Sequence, residues 1–278
     1  MRLCNVLFPT AGESCSGTYY IWRQKMSVPN ILQRARAHEL TLGLYVSIAD
    51  PTVIELAAGA GYDFVRIDCE HAMLDMQTVA HMVRAADASG LATQVRVSSV
   101  TDIPRLLDIG VQGIVVPDVR TKNDALRAVG LVKYAPLGER GMASVVRALD
   151  YGTVSLKSYA AEANDTVSLT VQIESREGLS NIEDILSVQG VDFVSSGKQD
   201  LSQALGVMGD TKNPIVLEAE DRIIQTAIAY GKFPTLLVND TRRAEELMRN
   251  GVSCLTVCYD VKVISAALRA QVEKFRSM

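Results

Sequence analysis

Three short stretches gather side chains able to do acid–base, metal or carbonyl chemistry. They are IDCEH with Asp68, Glu70 and His71, VQIE with Gln172 and Glu174, and VSSGKQD with Ser196, Gly197, Lys198, Gln199 and Asp200. Gln172 and Glu174 alternate within a β-branched run, so a strand there presents both on one face, and a carboxylate facing a sheet interior needs a partner. A cation is one such partner. Glu174 and Asp200, with no thiolate or imidazole cluster beside them, suit a hard ion such as Mg2+ or Mn2+ whose shell is completed by water or substrate oxygens. The same spacing fits a plainer role in which each carboxylate caps a helix, Asp200 ahead of LSQALG and Glu174 ahead of SREGL. Lys198 is a Schiff-base candidate by residue type, but the carboxylates around it favour its charged form. It reads instead as a rim residue that meets an anionic substrate or water. Arg96, ending QVRV, carries a fork of donors for a carboxylate or an enolate oxygen, or else lies on the surface. His71 is the histidine placed at a strand end, whereas His38 and His81 fall in helical patterns. It is the leading acid–base candidate, with a loop histidine bonded to backbone as the alternative.

The elements that must position these residues follow a strict alternation. From VPNILQRARAHEL onward the runs LTLGLYVS, YDFVRID, ATQVRV, GIVVP, VSLTVQIE, VDFVSS, FPTLLV and SCLTVCY each precede a helical pattern, giving eight strand–helix units. Apolar strands joined by crossover helices imply a parallel sheet covered by helices. Eight units in about 250 residues favour an α/β fold of the (β/α)8 TIM-barrel type over an open doubly wound sheet. Such barrels keep their chemistry at the C-terminal ends of the strands, where IDCEH, QVR, VQIE, SSGKQD and Asp260 all fall. The long connection APLGERGMASVVRALDYGTVSLKSYAAEAND, carrying Arg140, Gly141, Ser144 and Arg147, is expected beside the site. Residues 1–27 read as an extension outside the barrel, with Met26 as an alternative start, and 28–278 as one catalytic domain.

Composition narrows the function. Of 278 residues 48% are hydrophobic and 22% charged, which suits a folded domain with a large core. A net charge of -4 supplies no basic field for nucleic acid. No apolar run approaches the length that spans a bilayer, and the opening MRLCNVLFPTAGES lacks the apolar region of a signal peptide. The five cysteines form no disulfide or zinc pattern and read as reduced thiols of a cytoplasmic protein.

Taken together and in order, IDCEHA, QVRV, RLLDIGVQGIVVP, ERGMAS, VQIESREG and GKQDLSQALG resemble the HpcH/HpaI aldolase family, the pyruvate-dependent class II aldolases. The resemblance implies a (β/α)8 barrel that reversibly cleaves a 4-hydroxy-2-oxo acid to pyruvate and an aldehyde through a metal-bound enolate. It implies that Glu174 and Asp200 hold a divalent ion, Mg2+ or Mn2+ with Co2+ as a further option, and that Gln172 lies beside it. Arg96 would contact the 2-oxo acid, His71 would be the acid–base with Asp108 supporting it, and Asp68 would lie near the acceptor. Ser196, Gly197, Lys198 and Gln199 would line the substrate. The partners implied are a small 2-oxo acid and an aldehyde, and the assembly a homo-oligomer, a hexamer, with the last helix, 261–276, packed on a neighbour. Two departures bear on pocket shape: the family commonly has glycine, proline, a small residue and aspartate where this chain has Gly197, Lys198, Gln199 and Asp200, and small residues where Cys258 and Tyr259 precede Asp260. Decarboxylation of an oxaloacetate-like acid through the same enolate, and a non-catalytic barrel, are the competing readings.

Overall fold

The computed structural model describes residues 30–278; the expected extension, 1–27, lies outside them. Eight short runs rich in β-branched and aliphatic residues form β1 (Thr41–Val46), β2 (Phe64–Asp68), β3 (Ala92–Arg96), β4 (Gly113–Val116), β5 (Ser168–Ile173), β6 (Phe193–Ser196), β7 (Phe233–Val238) and β8 (Cys254–Tyr259). They pair in chain order, all parallel, and β8 returns to β1, so the sheet closes into a (β/α)8 barrel. Alternation along each strand then divides the side chains. Val65, Ile67, Val95, Ile114, Leu169, Val171 and Val194 join the main apolar core with the helices. The opposite set is polar: in β2 and β3 it includes Arg66, Asp68, Gln94 and Arg96, all buried. Arg66 donates through Nε and Nη2 to Gln94 Oε1 at 3.0 and 2.8 Å and through Nη2 to Thr235 Oγ1 at 3.0 Å.

Local signals set the helix ends. Asp75 caps Met76–Ser89 by accepting from the Thr78 N–H, and Gly90, at φ 76°, ends it in the left-handed region that glycine tolerates. Thr121 and Asp124 form a reciprocal capping box at the start of Lys122–Val132. Within the pattern LSNIEDILSVQG the helix spans Ile182–Leu186, and a separate short helix, Arg176–Ser180, precedes it across a break at Asn181.

The long connection before β5 departs from expectation. It contains a 3-10 segment, Arg147–Gly152, and a helix, Leu156–Thr166. Arg147 donates to the Ile109 carbonyl at 2.9 Å and to Asp87, partners at the C-terminal ends of the helices Ile103–Asp108 and Met76–Ser89. A helix that follows a barrel strand runs back toward the strand's start, so within one chain this connection lies at the end opposite the mouth. The last helix, Asp260–Arg276, is fastened at its start, where the Asp260 carboxylate accepts from the Ser47 N–H, the Ser47 hydroxyl and the Ile48 N–H at 2.8–2.9 Å. Beyond that, Val261, Ile264, Leu268, Val272 and Phe275 recur every three or four residues and are exposed. No helix among the described residues is long and apolar enough to cross a membrane.

Candidate active site at the mouth of the barrel

Three segments converge on Glu174, the residue after β5. Its Oε1 accepts from the Asp118 N–H at 2.7 Å, its Oε2 accepts from the Gln172 amide, and Gly197 lies against its side chain. Asp118 takes φ 48°, a left-handed conformation uncommon outside glycine. A Cβ on Gly197 would overlap the Glu174 carboxylate. Gly197→Ala is therefore expected to cost about 1–3 kcal/mol, as overpacking does. Urea unfolding checks this, with Gly141→Ala as the control, since nothing lies within 4 Å of a Cβ there.

Burial pushes the Glu174 carboxyl up to about 7 against the hydrogen bonds from Gln172 and Asp118, and the charges of Glu70 and Asp200 push the same way. Glu70 is raised too, by burial first, with Arg96 and His71 opposing and Asp68 and Asp200 adding. The structure thus brings Glu174, Glu70 and Asp200 into one electrostatic neighbourhood. Asp200 is exposed and lies in the first turn of the helix Lys198–Ala204; Gly197, not Asp200, occupies the cap position.

Arg96 closes the other side. Its Nε and Nη2 bond the two oxygens of Asp68 at 2.9 and 2.8 Å, its Nη1 lies 3.1 Å from Glu70 Oε2, and its guanidinium sits 5.3 Å from the Tyr45 ring centre. These carboxylates hold Arg96 above its already high basicity against burial. Asp68, expected near the acceptor, spends both oxygens on Arg96 and is 2% exposed, so in this chain it orients the arginine. His71 is exposed, with Nε2 3.6 Å from Glu70 Oε2. Asp108 is not brought to it: Asp108 ends the helix Ile103–Asp108 at the far end of the barrel, and its Oδ1 accepts from Arg140 Nη2 at 3.3 Å. Tyr259 stacks on Tyr45 at 4.6 Å across the β1–β8 seam.

The turn after β6 is anchored from below. The Ser196 hydroxyl donates to Glu220 Oε1 at 2.8 Å and Lys198 Nζ to Glu220 Oε2 at 3.3 Å. Gln199 is exposed, and its carbonyl accepts from the Ser202 hydroxyl at 2.6 Å.

A family model, HpcH/HpaI aldolase/citrate lyase, matches residues 41–267. The chain belongs to that family. A 2-keto-3-deoxy-L-rhamnonate aldolase from Escherichia coli O17:K52:H18 is 35% identical over 252 residues, covering 88% of this chain and 92% of the relative. The crystal structure of an HpcH/HpaI aldolase from Desulfitobacterium hafniense DCB-2 superposes with a TM-score of 0.85 at 29% identity, covering 89% of this chain and 97% of that one. The citrate synthase SbnG superposes with a TM-score of 0.83 at 31% identity, covering 89% and 98%. These relatives support carbon–carbon lyase activity of the class II aldolase type.

Class II aldolases of the HpcH/HpaI family are metal-dependent, and the residues here fit a metal ion. Asp68, Glu70, Glu174 and Asp200 surround the mouth while Arg96 is the cation paired among them, an excess of negative charge that a divalent cation would balance. Among the described residues no group of three or more His, Cys, Asp or Glu is gathered as a ready-made metal cage. An ion held by Glu174 and Asp200 would draw the rest of its shell from water and substrate, as hard six-coordinate ions accept. Each Glu174 oxygen keeps a second lone pair beyond its present hydrogen bond.

Asp118 and Glu220 join the site beyond the residues singled out from sequence, and Glu70, named there in IDCEH, is found between Arg96 and His71. Asp118 lies just past β4 and acts through its backbone N–H, which its residue type does not signal. Glu220 carries a different signal, a glutamate on the apolar stripe of Val216, Ala219, Ile223 and Ala227 in the helix Pro214–Ala229.

Proposed function

We propose that this chain is a divalent-metal-dependent aldolase that reversibly cleaves a 4-hydroxy-2-oxo acid to pyruvate, or a related 2-oxo acid, and an aldehyde. The observation that carries the reading is the group of carboxylates at the C-terminal mouth of a family-matched barrel, Asp68 and Glu70 paired with Arg96, and Glu174 and Asp200 in the electrostatic neighbourhood of Glu70. Glu174 and Asp200 are the residues that would hold the ion, Mg2+ or Mn2+ with Co2+ also fitting oxygen donors. When bound, the ion supplies Lewis-acid polarisation of the 2-oxo group. Arg96, held in register by Asp68, adds positive charge where the enolate oxygen develops. His71, exposed to water and next to Glu70, takes the proton of the C4 hydroxyl in cleavage and returns it in condensation. Gln172, Ser196, Gly197, Lys198 and Gln199 line the 2-oxo acid side. The similarity to the rhamnonate aldolase makes 2-keto-3-deoxy-L-rhamnonate the first acid to try. The exposed stripe on Asp260–Arg276 supports packing of that helix on a neighbouring subunit, a hexamer being the assembly proposed.

Pyruvate release over a panel of 4-hydroxy-2-oxo acids, with EDTA and then with Mg2+, Mn2+ and Co2+ restored, tests the reading. Activity should vanish with EDTA and return with an ion. Activity indifferent to metal removal, joined to borohydride trapping at Lys198, would sink it. Oxaloacetate belongs in the panel, since CO2 release without aldol cleavage marks the decarboxylase instead.

A further inference from the structure

Glu220 takes no part in the chemistry above, yet it is bonded to the turn that carries Asp200. Its side chain is 1% exposed. Oε1 accepts from the Ser196 hydroxyl at 2.8 Å and lies 3.3 Å from Lys198 Nζ, while Oε2 accepts from Lys198 at 3.3 Å and from Arg243 Nη2 at 2.8 Å. Packing does not call for an ion on this helix face, because Val216, Ala219, Ile223, Ile224 and Ala227 are its other buried members. A carboxylate enclosed there is costly unless paired, so its three donors are a built arrangement rather than a surface accident.

The cation that matters is Lys198. It opens the helix Lys198–Ala204, two positions ahead of Asp200. A free ammonium in the turn that carries Asp200 would repel a divalent ion bound there, which weakens ion binding. Arg243, the other cation on Glu220, has further partners in Asp221 at 3.4 Å and Glu246 at 3.3 Å, so it does not depend on Glu220 alone. We propose that Glu220 is a positioning residue for the ion site: it holds the Lys198 ammonium in an ion pair and neutralises it, so that its charge does not act on the ion. The proposal rests on the reading of Glu174 and Asp200 as the ion's ligands.

The test is Mn2+ binding to the metal-free, substrate-free protein, followed by electron paramagnetic resonance of free Mn2+ and by calorimetry. Wild type is compared with Asp200→Asn, Glu220→Gln, Lys198→Met and the double variant Glu220→Gln/Lys198→Met. Freeing one unit charge near the ion should weaken Mn2+ binding about tenfold in Glu220→Gln at low salt. Screening should shrink the deficit to about twofold at about 0.5 M NaCl. Removing the ammonium as well should bring the double variant to within about twofold of wild type, a coupling that a merely structural glutamate does not produce. Equal weakening of Glu220→Gln and the double variant overturns the proposal. So does wild-type binding by Glu220→Gln while Asp200→Asn has lost the ion, and that outcome leaves the metal site standing. Wild-type binding by Asp200→Asn overturns the metal site and the positioning role together. Where Glu220→Gln does not fold, the double variant, in which Arg243 keeps Asp221 and Glu246, decides alone: a tenfold loss there overturns the proposal.

Discussion

Glu174→Gln is expected to abolish divalent-ion binding and lower the aldol rate about a hundredfold to a thousandfold, the range for removing one fixed electrostatic contributor at a reacting oxygen. The substitution keeps volume and removes charge. Glutamine at 174 can accept from the Asp118 N–H through Oε1 and donate through Nε2 to a reoriented Gln172 amide, so the convergence of three segments survives. Stability then separates lost chemistry from a damaged fold. Burial raises the Glu174 pKa to about 7, so in the metal-free protein its ionised form costs stability above the ordinary glutamate range, growing as pH climbs to the raised value. Removing that charge should stabilise the metal-free protein at pH 8 by about 1–3 kcal/mol and leave little difference near pH 4. Urea unfolding in EDTA at the two pH values, beside Mn2+ titration and pyruvate release, checks all three effects. A variant that turns over normally, or one destabilised at pH 8, removes Glu174 from the role assigned to it.

The barrel was legible because its signal is repeated eight times: each apolar run had to be a covered strand, and the register follows once consecutive strands are parallel neighbours. The strand ends were legible for the same reason, and Glu174, Gln172, Arg96 and Asp200 do lie about the mouth. Sequence separation hid the rest. Nothing local ties Glu220 to Lys198 or Arg243, and nothing local says that Asp68 will spend itself on Arg96. Polar residues in the connection before β5 were read toward the site because long loops carry function. Its place after a helix and before a strand puts it at the opposite end of the same chain, where Arg147 meets Asp87 and Arg140 meets Asp108. Asp108 fails to reach His71 by the same topology. Asp118 escaped notice because its contribution is a backbone N–H, which the identity of its side chain does not announce.

Arg96→Ala is the substitution expected to do the most damage, because the arginine is the partner of a buried acid and, in the role proposed for it, an electrostatic element of the reaction. Its bidentate grip leaves Asp68, at 2% exposure, no other cation, and its Nη1 faces Glu70. Breaking a buried pair from one side typically costs about 3–5 kcal/mol, since the remaining charge stays enclosed. Activity should fall by at least about a hundredfold, the loss of about 2.7–4 kcal/mol of transition-state stabilisation seen when one donor to a developing oxyanion is removed. Arg96→Lys distinguishes the two roles. It restores a charge but not the fork, so it cannot bond both Asp68 oxygens in the same plane and leaves the Tyr45 face less well covered. Its stability should recover more than its rate, whereas Arg96→Ala/Asp68→Asn should regain most of the stability and none of the activity. Chemical unfolding of the three variants with steady-state pyruvate release decides the matter: normal turnover by Arg96→Ala on a true substrate would exclude the arginine from the mechanism, and equal recovery of rate and stability in Arg96→Lys would reduce it to a structural partner of Asp68.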